Sequence, residues 1–182
     1  MSDEKSGEKA GTYEDQVWPR LAGLLRTTEE AAAVLECREI AEQEAALCLL
    51  VDRLFELELS VGDLARAELA AMASLWSVWD TLGEDIVALP GAQGTLRMFW
   101  NLEPVDGRDG MALVPWMQCV GCGRILALEH RHESWGALSF SPVSYVVSVP
   151  DGEGTQYVYD AEGPDAVWRA LERLTATCRD AA

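Results

Sequence analysis

Basic residues are scarce in this chain. Fourteen lysines and arginines stand against thirty-one aspartates and glutamates, for a formal charge of −17, and lysine occurs only at Lys5 and Lys9. Nucleic-acid binding needs a basic footprint and anionic membranes attract cations, so this balance argues against both partners. A long apolar run is also missing. The longest stretch without a charged residue, 134–150, holds two prolines and five serines, too polar for a membrane span. The opening MSDEKSGEKAG has no apolar segment of the kind a secretory signal carries. The five cysteines (Cys37, Cys48, Cys119, Cys122 and Cys178) are odd in number. Without an export signal they predict reduced thiols in the cytoplasm and not a disulfide framework. GxSxG, HExxH and a phosphate-binding glycine loop are all absent, so no complete catalytic set is legible.

What is present is globular: 49% hydrophobic and 25% charged residues in 182 positions. The first dozen residues are polar and charged and read as a disordered tail, 1–12, ahead of one α+β domain, 13–182. Residues 1–85, which include its helical half, 13–85, carry a net −12, and its strand-rich half, 95–182, begins where glycine and proline become frequent. A short helix has Pro19 in its first turn. Thr27 to Glu30 then forms a capping box opening a long helix over 28–59, with Leu47, Leu50, Leu54 and Leu57 on one stripe. After a break at Ser60-Val61-Gly62-Asp63, a second long helix carries Leu69, Met72, Trp76 and Trp79 and ends near Gly83. The two predict an antiparallel hairpin.

Strand candidates follow at Thr95–Asn101, Met111–Gln118, Ile125–Leu128, Val143–Val149 and Thr155–Asp160. The glycine-rich 150–154 suits a hairpin turn between the last two. Val167, Leu171, Leu174 and Cys178 mark a closing helix begun by Gly163-Pro164-Asp165. The expected architecture is α+β: an N-terminal helical hairpin packed with an antiparallel sheet and a closing C-terminal helix.

One local motif carries chemistry. Cys119-Val120-Gly121-Cys122-Gly123-Arg124 resembles half of a zinc ribbon or rubredoxin-type knuckle, and the resemblance implies zinc as a cofactor. Completing the site would take two more ligands, His130 and His132 being the candidates. From Cys122, His130 lies about 26 Å away along a strand or about 12 Å along a helix, so the chain would have to bend back. The segment also resembles the second half of the thioredoxin family, with Met111–Gln118 as a strand, CxxC opening a helix over 124–133, and Ser141-Pro142 opening the next strand. That resemblance implies dithiol redox chemistry, with Cys119 attacking and a cis proline facing it. Only 19 residues separate Cys122 from Pro142, short for the crossovers such a fold contains. The plain alternative is that both cysteines sit inert in a hairpin turn, with the histidines on a solvated edge.

Trp76, Trp79, Trp100 and Trp116 read as core, and Trp135 as an exposed anchor for a partner. Nine acids, Glu36, Glu39 and Glu42 among them, crowd residues 29–58. Such a surface solvates the chain or steers a basic protein toward it. The reading favoured by the residues is a non-catalytic cytoplasmic protein of adaptor, chaperone or immunity type. It binds a basic protein, with Glu36, Glu39, Glu42 and Trp135 at the interface and no cofactor. A small zinc or dithiol protein built on Cys119 and Cys122 is the alternative.

Overall fold

A computed structural model describes residues 13–91, 94–150 and 154–176; the tail 1–12 and Cys178 lie outside them. Five helices come first: α1 (Tyr13–Ala22), α2 (Thr28–Glu39), α3 (Gln43–Glu56), α4 (Asp63–Leu75) and α5 (Trp79–Ala88). Six strands follow: β1 (Leu96–Met98), β2 (Val105–Asp106), β3 (Ala112–Cys119), β4 (Ile125–His130), β5 (Ser144–Ser148) and β6 (Gln156–Asp160). The helix α6 (Ala166–Thr175) closes the described chain. The α+β architecture holds, with helices first, an antiparallel sheet second and a helix last. No described helix is long and apolar enough to cross a membrane.

The two long helices are each broken. α2 opens on the expected capping box, with the Thr27 hydroxyl accepting from the Glu30 N–H and the Glu30 carboxylate accepting from the Thr27 N–H. It ends at Ala41 in the left-handed region, φ 65°. There the Glu42 N–H donates to the Cys37 carbonyl and the Ala41 N–H to that of Arg38. α4 ends the same way at Ser77, φ 54°, with Val78 donating to Ala73 and Ser77 to Ser74. These are Schellman caps, which usually place glycine where alanine and serine stand here. Hence neither break was visible as a glycine or proline signal. Pro19 lies inside α1 and not in its first turn, because the helix already begins at Tyr13.

The sheet runs β1-β3-β4-β5-β6, every pair antiparallel, and β2 shares the β1 side of β3. Registers Leu128↔Tyr145 and Leu126↔Val147 put four apolar side chains on the helix-facing side. A bulge between Pro115 and Met117 lets Trp116 and Met117 both bury on that face. α6 lies against β5 and β6. Its Arg173 stacks 3.7 Å over the Tyr157 ring, and Arg169 stands 5.3 Å over Tyr159.

α4 joins the layers. Arg66 is 1% exposed, and its guanidinium donates to the carbonyls of Val61, Ile86, Val87, Leu89 and Pro90. One turn earlier the Asp63 carboxylate accepts the N–H groups of Gly94, Thr95 and Leu96 and the Thr95 hydroxyl. At the far end of α4 the Ser74 hydroxyl meets the Tyr145 hydroxyl at 3.1 Å. The helix is thereby fixed to the end of α5, the start of β1 and the middle of β5. One core cluster takes Leu50, Leu69 and Met72 from the helices, Leu126 and Val147 from the sheet and Leu174 from α6.

Candidate functional site

The helix and sheet layers part at one end, leaving a cleft of about 530 Å³, within the size range of ligand sites. Its floor is Val114, Leu128 and His130 from the inner face of the sheet, with Ser74 from the last turn of α4. Trp79 and Asp80 enter from the start of α5. The β1–β2 connection supplies Trp100 to Pro104, and the β4–β5 connection supplies Trp135 and residues 138–142.

Trp79 sits at the centre of an aromatic chain. Its ring meets Trp100 edge-on at 5.5 Å and Trp116 edge-on at 5.6 Å, and Trp116 stacks toward Tyr145 at 6.2 Å. Trp100 can lie there because Gly83 of α5 has no side chain: a Cβ at that position would stand 2.2 Å from the indole. Trp116 is core, as expected. Trp76 and Trp79 are half-buried and pack against the core, Trp79 lining the cleft as well, whereas Trp100 is corrected: it is half-buried, outside the core cluster, and lines the cleft.

Trp135 stands at the mouth, 73% exposed, with Phe140 nearby at 71%. The loop bearing Trp135 is hydrogen-bonded. Gly136 donates to the Glu133 carbonyl at 2.9 Å, Glu133 donates to that of Ala137 at 2.8 Å, and His132 bridges Leu138. Gly136 takes φ 91°, which only glycine adopts readily. A large apolar ring held on such a turn loses little freedom on binding.

His130 is buried, whereas His132 is exposed, so the expectation of two solvated histidines is half corrected. The His130 Nδ1 lies 2.8 Å from the Ser139 carbonyl. A carbonyl only accepts, so the proton resides on Nδ1 and the neutral ring keeps Nε2 as an acceptor. Burial pulls the imidazole below its ordinary value, against the opposing influence of the Ser139 carbonyl and Asp80. The Ser139 hydroxyl donates to the Ser141 carbonyl and faces the protonated nitrogen of His130. This ring nitrogen therefore does not activate that hydroxyl as a nucleophile.

Below the cleft, Glu129 is 1% exposed. Arg108 donates to both its oxygens at 2.9 and 3.0 Å, and the Ser144 hydroxyl donates to it as well. The Arg108 bond, then the Ser144 bond, hold its carboxyl below the usual range against burial. The pair ties the loop after β2 to the sheet, and that loop continues from the Trp100–Pro104 wall.

Cys119 and Cys122 lie together at the opposite end of the sheet, in the β3–β4 turn. Cys119 ends β3 and is buried, while Cys122 is half-buried. The Gly123 N–H donates to the Cys119 carbonyl at 2.8 Å and Gly123 takes φ 73°. β4 then runs straight to His130, which pairs with Ala112 at the start of β3. Five steps of about 3.4 Å separate the turn from the histidine, so the structure does not bring Cys119 and Cys122 to His130 and His132. Among the described residues no three His, Cys, Asp or Glu side chains gather to hold a metal. The thioredoxin-like arrangement is also corrected. Residues 125–130 form a strand and not a helix, and no cis peptide occurs among the described residues. Pro142 lines the cleft, away from the CxxC turn.

Glu36, Glu39 and Glu42 are exposed, but they do not share one helix. The first two belong to α2, and Glu42 stands at the N-cap position of α3 without a side-chain capping bond. None lines the cleft. The cleft residues missed in the sequence are Trp79, Asp80, Trp100 and Phe140. They come from three separate segments, and no spacing rule links them. No family model, no curated protein and no solved structure matches the chain.

Proposed function

We propose that the protein binds a basic protein partner without catalysis, in the manner of an adaptor, chaperone or immunity protein, and that the aromatic cleft is where the partner docks. One observation carries this reading. The cleft is walled by tryptophans, its ionisable lining is Asp80, Glu103 and His130, and it contains no lysine or arginine. Aromatic rings that keep one polar edge are common interface anchors, and Trp135, on its hydrogen-bonded turn, stands with the exposed Phe140 where a partner would first touch.

The exposed acids of α2 and α3 act at longer range. A surface of one sign speeds encounter with an opposite partner, and its reach at physiological salt is about 8 Å. A cytoplasmic setting fits the free thiols at Cys37, Cys48 and Cys122.

The test is capture from native lysate on immobilised protein, comparing wild type, Trp135→Ala and the triple variant Glu36→Lys, Glu39→Lys, Glu42→Lys. The expected catch is a protein of high isoelectric point, lost from the Trp135 variant. The triple variant should slow its association, and raised salt should lower the association rate while changing dissociation little. A catch indifferent to Trp135 and to salt would overturn the reading.

A further inference from the structure

The ionisable groups lining the cleft have one chemistry in common: each can accept a hydrogen bond. Asp80 and Glu103 present carboxylates, which only accept hydrogen bonds when ionised. His130, with its proton held at Nδ1 by the Ser139 carbonyl, presents an acceptor at Nε2. The hydroxyls of Ser77 and Ser141 already face each other at 3.2 Å. A ligand suited to these three groups brings donors and positive charge and has a flat surface for the indoles, while the Asn101 amide and the serine hydroxyls of the lining serve as donors or acceptors alike.

We propose that the group seated in the cleft is an arginine side chain of the partner, its guanidinium against the indoles of Trp79, Trp100 or Trp135 and its N–H groups toward Asp80 and Glu103. This rests on the basic-partner reading and narrows it. Guanidinium has five donors and no acceptor, is weakly hydrated and stacks on aromatic faces. An ammonium offers the charge without the plane, so lysine satisfies the carboxylates and leaves the indoles with less contact. An anion would meet two carboxylates in a chain of net charge −17. A neutral apolar side chain would cover those carboxylates without replacing their water, which costs free energy. The same stacking is already present elsewhere in the molecule, where Arg173 lies 3.7 Å over Tyr157.

The full-length protein labelled with nitrogen-15 is titrated with three capped tripeptides, acetyl-Gly-X-Gly-amide, where X is arginine, lysine or citrulline, the neutral isostere of arginine. The readout is the indole N–H resonances. The arginine peptide should shift those of Trp79, Trp100 and Trp135 saturably in the millimolar range, and leave that of Trp18, which is fully buried, in place. It should bind about tenfold more tightly than the citrulline peptide, with lysine between them. Asp80→Asn should weaken it several-fold. Glu103→Gln, in an exposed loop outside any helix or strand, repeats the test where folding is not in question.

Equal binding of lysine and arginine would overturn the arginine assignment and leave the basic-partner reading standing. Equal binding of citrulline would overturn both. If no peptide moves these indoles, the arginine assignment falls, and the basic partner is then judged on the salt-dependent capture alone.

Discussion

α2 and α4 are alanine-rich helices of 12 and 13 residues with opposite environments. α2 buries Val34 alone, whereas α4 buries nine consecutive residues, Arg66 to Ser74. Both contain acids and an arginine, so composition does not separate them. What differs is where the charges lead. Arg38 of α2 pairs with Asp15 at the surface, the kind of contact that contributes about 0–1 kcal/mol. Arg66 of α4 serves five carbonyls from inside the protein, and Glu68, 2% exposed, accepts from Arg20. The same residue types provide an outward field on one helix and an internal joint on the other.

Removing the joint should produce the largest effect. Arg66→Met keeps much of the side-chain volume but leaves buried carbonyls without a donor, and should cost about 3–5 kcal/mol of stability. Arg38→Met on α2 should cost less than about 1 kcal/mol. Urea unfolding of both variants measures the contrast, and equal midpoints would erase it.

Acid tests the contrast in another way, because the perturbed groups sit around α4 and the sheet. Burial keeps His130 below its ordinary value near 6.5, so the unfolded chain takes up that proton first. Its contribution to stability is complete above about pH 6.5 and drains as pH falls through the lower, folded value. Glu129 is held down by Arg108. At Asp63, burial pushes upward, but the N–H groups of Thr95, Leu96 and Gly94 and the Thr95 hydroxyl together prevail and hold it low. The stability these carboxylates contribute is complete above their ordinary range, about pH 4 to 4.5, and is lost only further down. Stability should therefore fall in two stages. His130→Asn should remove the upper stage and leave the lower one; denaturant midpoints between about pH 7 and about pH 5 would detect it. An unchanged upper stage would assign it to another group.

Smaller effects lie at the helix ends. Ala41→Gly relieves a left-handed alanine and should raise stability by about 0.5–1 kcal/mol, as should Ser77→Gly at the end of α4. Thermal unfolding measures both, and a loss at either site would mean that the cap is held by more than its backbone angle. Smallest of all, reversing Glu36, Glu39 and Glu42 to lysine should move stability by no more than about 0.5 kcal/mol. An unfolded triple variant would show that α2 is part of the framework after all.

Much of the fold was legible. The alternation Val143-Ser144-Tyr145 and onward marks β5, and the glycine-rich segment before Thr155 precedes β6. The 4-3 spacing of Val167, Leu171 and Leu174 marks α6. The capping box at Thr27 identifies the start of α2 within one residue. The helix breaks at Ala41 and Ser77 were illegible because neither residue prefers the left-handed region. Their conformation follows from satisfying the last carbonyls of each helix where the chain must turn to pack. Of the candidate site, Trp135 could be read as exposed, because it follows a charged segment with no apolar periodicity around it. Trp79 and Trp100 could not, since their spacing fits a core stripe equally well.

By itself the sequence determined the acid surplus, the order of helices before strands, most strand positions and the closing helix, all of which depend on neighbours a few residues apart. Tertiary structure alone decided that Arg66 and Glu68 go inside and that Trp79, Trp100 and Trp135 line one cleft. The physical reason is range. Periodicity and capping are set by backbone geometry over one or two turns, whereas these outcomes join residues tens of positions apart. They follow only once the α4 joint and the sheet register have placed the layers against each other.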